Sequence, residues 1–172
     1  GDSKHLVVVD SDEHDEEGHI IEDAETRNKM VNKRLFKKMP LLIQEIEPPF
    51  SYGNDKPDIV IAGWGSTYGV MKEAVDSMSP PHPPLGKGGL MGGIAMLHFS
   101  EIYPFPSTDK FDYLNILNNA KLTICIENNA TGQFSRLMRA ETGYEFKTKI
   151  NKYDGRPFLL EELINEIRKK FD

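Results

Sequence analysis

Five hydrogen-bonding side chains, Glu127, Asn128, Asn129, Thr131 and Gln133, crowd one turn of the stretch "CIENNATGQFSRLMRAETG", Cys125 to Gly143. An apolar run precedes them and a helix-like segment follows. Thr131 is placed to cap that helix, and Asn128 and Asn129 suit the turn before it. Capping leaves Glu127, at the strand end, and Gln133, on the first helical turn, to find partners elsewhere. A second polar turn, "GWGSTYG", Gly63 to Gly69, follows a strand and opens a helix. That context invites a dinucleotide reading, but the spacing is Gly-x-Gly-x-x-x-Gly, and no acidic residue ends the next strand to hold a ribose. Trp64 also crowds the place where a pyrophosphate would approach. A tight turn with Ser66 or Thr67 capping the helix accounts for the same residues. A stand-alone nucleotide- or anion-binding module built on this loop is the alternative reading of the chain.

The segment "EHDEEGH", Glu13 to His19, sets two imidazoles among four carboxylates. A metal site is one reading, a solvated acidic loop another, and a loop facing a site without metal a third. The helical metalloprotease pattern fails, because its histidines must stand four apart and here they stand five apart with a glycine between. His98 ends a strand, either as a core histidine or facing the loops, and His82 sits in a Pro-rich loop. For covalent catalysis there is no Gly-x-Ser-x-Gly elbow. The single cysteine, Cys125, lies in the strand-like "KLTICIE" and reads as a buried core thiol. One cysteine also excludes a disulfide framework and a Cys-ligated iron–sulfur cluster built from this chain.

These turns need a scaffold. From Asp58 onward, strands alternate with helices: strands at "DIVIAG", Gly93–Phe99, "KLTICIE" and Tyr144–Ile150, helices at Thr67–Met78, Thr108–Asn119, Thr131–Glu141 and Leu159–Phe171. That alternation predicts a parallel sheet with helices on both faces. Right-handed crossovers then bring "GWGSTYG", "SEIYPFP", "ENNATGQ" and "NKYDGRPF" to one edge of it. Upstream, Lys4–Val9 reads as a strand, Asp10–His19 as a charged loop, and Glu22–Met39 as a helix stopped by Pro40. Leu41–Glu47 reads as a strand and "PPFSYGNDKP" as a linker. "SPPHPPLGKGGLMGG", Ser79–Gly93, reads as a surface loop.

The bulk numbers bound the function. The chain has 172 residues, 38% hydrophobic and 28% charged, with a net charge of −6. This is a globular composition without the basic stripe a nucleic-acid partner needs. The cations Lys33, Arg34, Lys37 and Lys38 read as the end of a helix, opposing its dipole. No apolar run approaches the ~18 residues of a membrane span, and no signal peptide is recognisable. A cytoplasmic protein is expected. A strand so close to Gly1 suggests a chain cut from something longer.

Taken together and in order, "EHDEEGH…AETRNKMVNKR", "GWGSTYG", "LHFSEIYPFP", "ENNATGQFSRLMRAETG" and "YDGRPF" resemble the C-terminal part of the alpha subunit of 2-oxoacid:ferredoxin (or flavodoxin) oxidoreductases. The resemblance covers nearly the whole chain. It implies a thiamine-diphosphate enzyme that oxidatively decarboxylates a 2-oxoacid, makes an acyl-CoA from coenzyme A and passes electrons through iron–sulfur clusters to ferredoxin. It also implies a transketolase C-terminal-like domain for Pro40–Asp172, a three-layer α/β/α sandwich. Its five-stranded, mostly parallel sheet has one antiparallel strand, which "LLIQEIE" would supply. Gly1–Met39 would be the end of the preceding pyrimidine-binding domain and its connection. The thiamine diphosphate–magnesium motif and the cluster cysteines are not in this sequence, and in the family they belong to the beta subunit. The expectation is a chain that binds no cofactor and carries no catalytic residue alone. Its loops, with Ser66, Thr67, Glu101, Glu127, Asn128, Asn129, Thr131 and Gln133, would dock onto the beta subunit and the remainder of the alpha subunit. His14, Asp15 and His19 would approach the active site.

Overall fold

The computed structural model describes residues 4–9, 11–79 and 93–170, and the chain forms two compact units, Gly1–Ile46 and Glu47–Asp172. The predicted loop Ser79–Gly93 and His82 therefore fall almost wholly outside the described residues. No described helix is long and apolar enough to cross a membrane.

In the first unit, helix α1, Ala24–Asn32, starts where the Asp23 carboxylate accepts the Thr26 N–H at 2.8 Å. It continues through a π-helical stretch, Lys33–Lys38, into α2, Met39–Glu45. The expected stop at Pro40 and the expected strand Leu41–Glu47 are both corrected by this. Proline lacks an N–H and its ring crowds the carbonyl four residues back. The wider π turn just before it, with the Met39 N–H bonded to the Arg34 carbonyl, lets the helix run past the obstacle. The expected strand Lys4–Val9 is corrected too. A strand needs a neighbour, and among the described residues none pairs with it, so Leu6 and Val9 stand 91% and 75% exposed. The acidic loop is held by the basic stretch: Arg34 forks onto Glu13 at 2.8 and 2.9 Å, and Lys29 and Lys33 reach Glu16 at 2.9 and 3.0 Å. These pairs draw the cations toward the loop, a role that spacing along the helix did not reveal.

The second unit carries a five-stranded sheet in the order β1-β3-β2-β4-β5. The strands are β1 Phe50–Gly53, β2 Ile59–Trp64, β3 Ile94–Phe99, β4 Leu122–Glu127 and β5 Thr148–Asn151. β1 runs antiparallel to β3, pairing Phe50 with His98, and the other neighbours are parallel. The expected mixed α/β/α sandwich is therefore present, but its antiparallel strand lies in the segment expected to be a linker. Pro48 and Pro49 precede that strand without interrupting its ladder, and an edge strand tolerates such neighbours.

Helices α3 Tyr68–Met78, α4 Tyr113–Asn119, α5 Gln133–Thr142 and α6 Leu160–Arg168 cover the two faces. Alternate residues of β2 divide between them. Ile59 and Ile61 pack with Met71 and Val75 of α3 and Leu163 and Ile167 of α6. Val60 and Ala62 pack with Leu117 of α4 and Phe134 and Met138 of α5. Burial on both faces explains the apolar runs of β2 and β3. Each wholly buried isoleucine, such as Ile61 or Ile126, contributes ~1.5–3 kcal/mol. α4 starts later than its periodicity suggested, because Ser107 and Asp109 close a turn and Asp112 then caps the helix by accepting the Asn115 N–H at 3.0 Å. β5 is shorter than expected, since the Tyr144 hydroxyl turns in to Thr123 at 2.8 Å.

Candidate functional site: the carboxyl rim of the sheet

Because β2, β3, β4 and β5 are parallel, the loops after all four open at one edge of the sheet. β2 and β4 are neighbours, yet α3 leaves toward one face and α5 toward the other. The chain therefore splits between them, the place where open α/β sheets leave a crevice. A depression of about 280 Å³ lies there, lined by Gly65, Ser66, Thr67, Asn128, Asn129 and Gln133. It adjoins a larger one of about 650 Å³ that shares Ser66 and Asn128 and takes Lys152, Tyr153, Arg156 and Phe158 from the β5–α6 loop.

The β4–α5 turn is closed from inside. Asn129 Oδ1 accepts the N–H groups of Thr131, Gly132 and Gln133 at 3.2, 2.7 and 3.2 Å. The two Glu127 oxygens accept those of Phe134 and Ser135 at 2.7 and 3.0 Å. The Asn129 amide ties the two together, donating to Glu127 at 2.7 Å, and the Cys125 thiol reaches the same carboxylate at 3.4 Å. Five consecutive N–H groups at the positive end of α5 are thus satisfied by one amide and one carboxylate. Glu127 has no exposed surface. Burial pushes its carboxyl up, but the Asn129 amide, the two N–H groups and the thiol outweigh this and hold it below the usual carboxylate range. Burial, and then Glu127, push the Cys125 thiol well up, so it stays protonated. Gly132 has φ +64°, and a Cβ there would stand 2.8 Å from Ser135 Oγ.

These contacts correct two expectations. Glu127, expected to bond across the docking seam, is instead buried and bonded within its own turn. Thr131 does not cap the helix, because Asn129 holds its N–H and those that follow. Only Asn128, Thr131 and Gln133 of the five residues lie exposed on the rim.

The β2–α3 turn differs. Gly65–Thr67 form a 3-10 turn, and no side chain caps it or α3 among the described residues. Thr67, expected as a cap or a docking residue, is buried and donates its hydroxyl back to the Trp64 carbonyl at 2.9 Å. Ser66 is exposed on the crevice. Gly63 is explained by packing: a Cβ there would meet Met71 Sδ at 2.6 Å and Thr67 Oγ1 at 2.7 Å, so its absence lets α3 sit close on the sheet. His98 is buried and also turned to the rim. Its Nε2 lies 2.8 Å from the Gly65 carbonyl, to which it donates, and its ring meets Tyr68 edge-on. Glu101, after β3, accepts the Glu47 N–H at 2.7 Å and pins the start of the unit.

In the first unit, the Asp15 carboxylate accepts the N–H groups of Glu17 and His19, both at 2.9 Å. The His19 N–H, and then that of Glu17, hold Asp15 below the usual carboxylate range against the opposing effect of burial. Asp15, Glu17 and His19 each offer one ligand atom within 4.8 Å of the others, which makes them the group able to hold a cation among the described residues. His14 is apart from them, with Nδ1 3.1 Å from the Asp12 carbonyl. Nothing in the sequence singles out Arg156 or Tyr153 within "YDGRPF"; only the fold sets that loop beside Ser66.

No family model matches the chain. Among curated proteins it is 33% identical over 160 residues to 2-oxoacid:ferredoxin oxidoreductase 1, subunit alpha, of Aeropyrum pernix, which spans 91% of this chain and 23% of that protein. It is 32% identical over 165 residues to the 2-oxoacid:ferredoxin oxidoreductase subunit alpha of Saccharolobus solfataricus, 94% of this chain and 24% of that one. Among solved structures, the 2-oxoglutarate:ferredoxin oxidoreductase of Magnetococcus marinus, with 2-oxoglutarate, coenzyme A and succinyl-CoA bound, aligns with a TM-score of 0.67 at 25% identity, over 99% of this chain and 27% of that chain. The chain thus spans about a quarter of the length of the curated relatives it matches.

Proposed function

We propose that this chain, homologous along nearly its whole length to a segment of 2-oxoacid:ferredoxin oxidoreductase alpha subunits, is the C-terminal part of such a subunit. The whole enzyme would oxidise a 2-oxoacid to an acyl-CoA with thiamine diphosphate and magnesium, and pass electrons through iron–sulfur clusters to ferredoxin. Within it, Glu47–Asp172 is an assembly domain that docks by its carboxyl rim onto neighbouring parts of the enzyme, including a beta subunit, in the cytoplasm. The residues before Pro40 end the preceding pyrimidine-binding domain, and His14, Asp15 and His19 lie on the way to its active site.

The observation that carries the reading is the convergence of four loops on one edge, with Ser66, Asn128 and Gln133 left outward there. These side chains stand at the crevice beyond the carboxyl ends of the strands, where open α/β sheets receive ligands or partners. The first unit also exposes large apolar side chains, Leu6, Phe36 and Leu41 among them, that a neighbour would cover. Co-expression of the full alpha polypeptide with its beta chain tests this. Deleting this segment is expected to abolish co-purification of the two chains and turnover of the 2-oxoacid. An active, assembled enzyme without it would overturn the reading.

A further inference from the structure

Building on the docking role just proposed, we infer that the neighbouring subunit presents an Asp or Glu carboxylate to Arg156, in the depression between the β2–α3 turn and the β5–α6 loop. That depression has two charged residues in its lining, Lys152 and Arg156, and both are cationic. Lys152 is already matched, reaching Glu162 at 2.6 Å and Asp154 at 3.1 Å. Arg156 is not: its backbone N–H goes to Asp154 at 3.0 Å, but its guanidinium makes no ion pair among the described residues. The Arg156 N–H, and then Lys152, hold the Asp154 carboxyl below the usual range, and the Arg156 charge is close enough to help as a smaller cause. The guanidinium fork itself has no carboxylate within ion-pair distance among the described residues, and it shares its depression with the neutral Ser66 and Asn128. A guanidinium offers its donors in a fixed planar fork, the shape a carboxylate fills with two bonds.

The flanks favour a protein neighbour over a free ion. Tyr153 and Leu159, on either side of Arg156 in the same loop, are 72% and 65% exposed. A small anion would leave them in water, whereas a subunit would cover them. Tyr and Arg are also the residue types that concentrate binding energy at the centres of protein interfaces.

The test uses the full-length alpha polypeptide and its beta chain, with the dissociation constant of the two measured at low and high salt. Arg156, Tyr153 and their variants are exposed, and unchanged circular dichroism will show that the fold is intact. Arg156→Glu is expected to weaken association by about 30-fold or more, with the loss shrinking as salt rises, and Arg156→Lys to retain part of the affinity. Tyr153→Ala separates the two claims. If it weakens association and Arg156→Glu does not, the carboxylate is wrong and the docking rim stands. If neither variant changes association, the rim reading falls with it. Protection of Arg156 by inorganic phosphate, with subunit affinity unchanged in Arg156→Glu, overturns the inference in favour of a small-anion site.

Discussion

The two helix starts at the crevice, α5 and α3, sit across the same split in the sheet and are finished in opposite ways. α5 begins on a closed ring, in which Glu127 and Asn129 take five successive N–H groups. α3 begins on a 3-10 turn with no side-chain cap, and its Ser66 faces the crevice. The difference teaches how a rim can be both rigid and available. One turn fixes the backbone with an internal carboxylate, and the other leaves its polar groups for a neighbour.

Variants can break this comparison in order of expected effect. Glu127→Ala removes a buried acceptor and strands two buried N–H groups and an amide. It is expected to cost about 3–5 kcal/mol of unfolding free energy, read by urea denaturation. The same carboxylate sets a pH dependence. Its folded value is depressed, so its contribution is fully present above the unfolded value, about 4.3, and is lost as pH falls through the lower folded value. Glu127→Gln is expected to be less stable at neutral pH, and its stability should change less than the parent's across the acid range. An identical acid profile for the two would mean Glu127 is not the group that titrates.

Gly63→Ala comes next, at about 1–3 kcal/mol, because its methyl would push Met71 and Thr67 off the sheet. Thermal unfolding followed by circular dichroism would show it. On the α3 side the effects should be small and of the other sign. Ser66→Asp puts an anion at an uncapped helix start and is expected to stabilise the chain by ~0.3–1 kcal/mol. It should at the same time weaken docking of a carboxylate to the crevice. Ser66→Ala should change stability by less than about 0.5 kcal/mol. A large loss from Ser66→Ala would show that α3 depends on a cap after all, and the contrast between the two starts would collapse.

How much of this was legible in the sequence depended on whether the cause was local. The alternation of β2, α3, β3, α4, β4 and α5 was readable because these strands are buried on both faces and their helices have one apolar side. The gathering of four loops at one edge followed from the parallel strand direction that the strand–helix alternation implies. The antiparallel strand was not readable: Phe50–Gly53 is short, mostly exposed and set among prolines, and only its pairing with β3 makes it a strand. Pro40 misled for a related reason, since a π turn that relieves a proline leaves no mark in composition. In the site, the polar turn was recognised but its division of labour was not. Glu127 and Asn129 lie close in sequence to the N–H groups they hold, yet any one of five side chains could have filled that role. Arg156 became visible only when the fold set the β5–α6 loop beside Ser66.

The central claim, that the carboxyl rim is where this domain meets the rest of its enzyme, is tested most directly by amide hydrogen exchange. The measurement compares the free chain with the assembled enzyme, peptide by peptide. Slowed exchange at 64–70 and 152–158 on assembly, with 131–135 already slow in the free chain, is the expected result. Unchanged exchange at 64–70 and 152–158, with new protection confined to the opposite edge of the sheet, would contradict it.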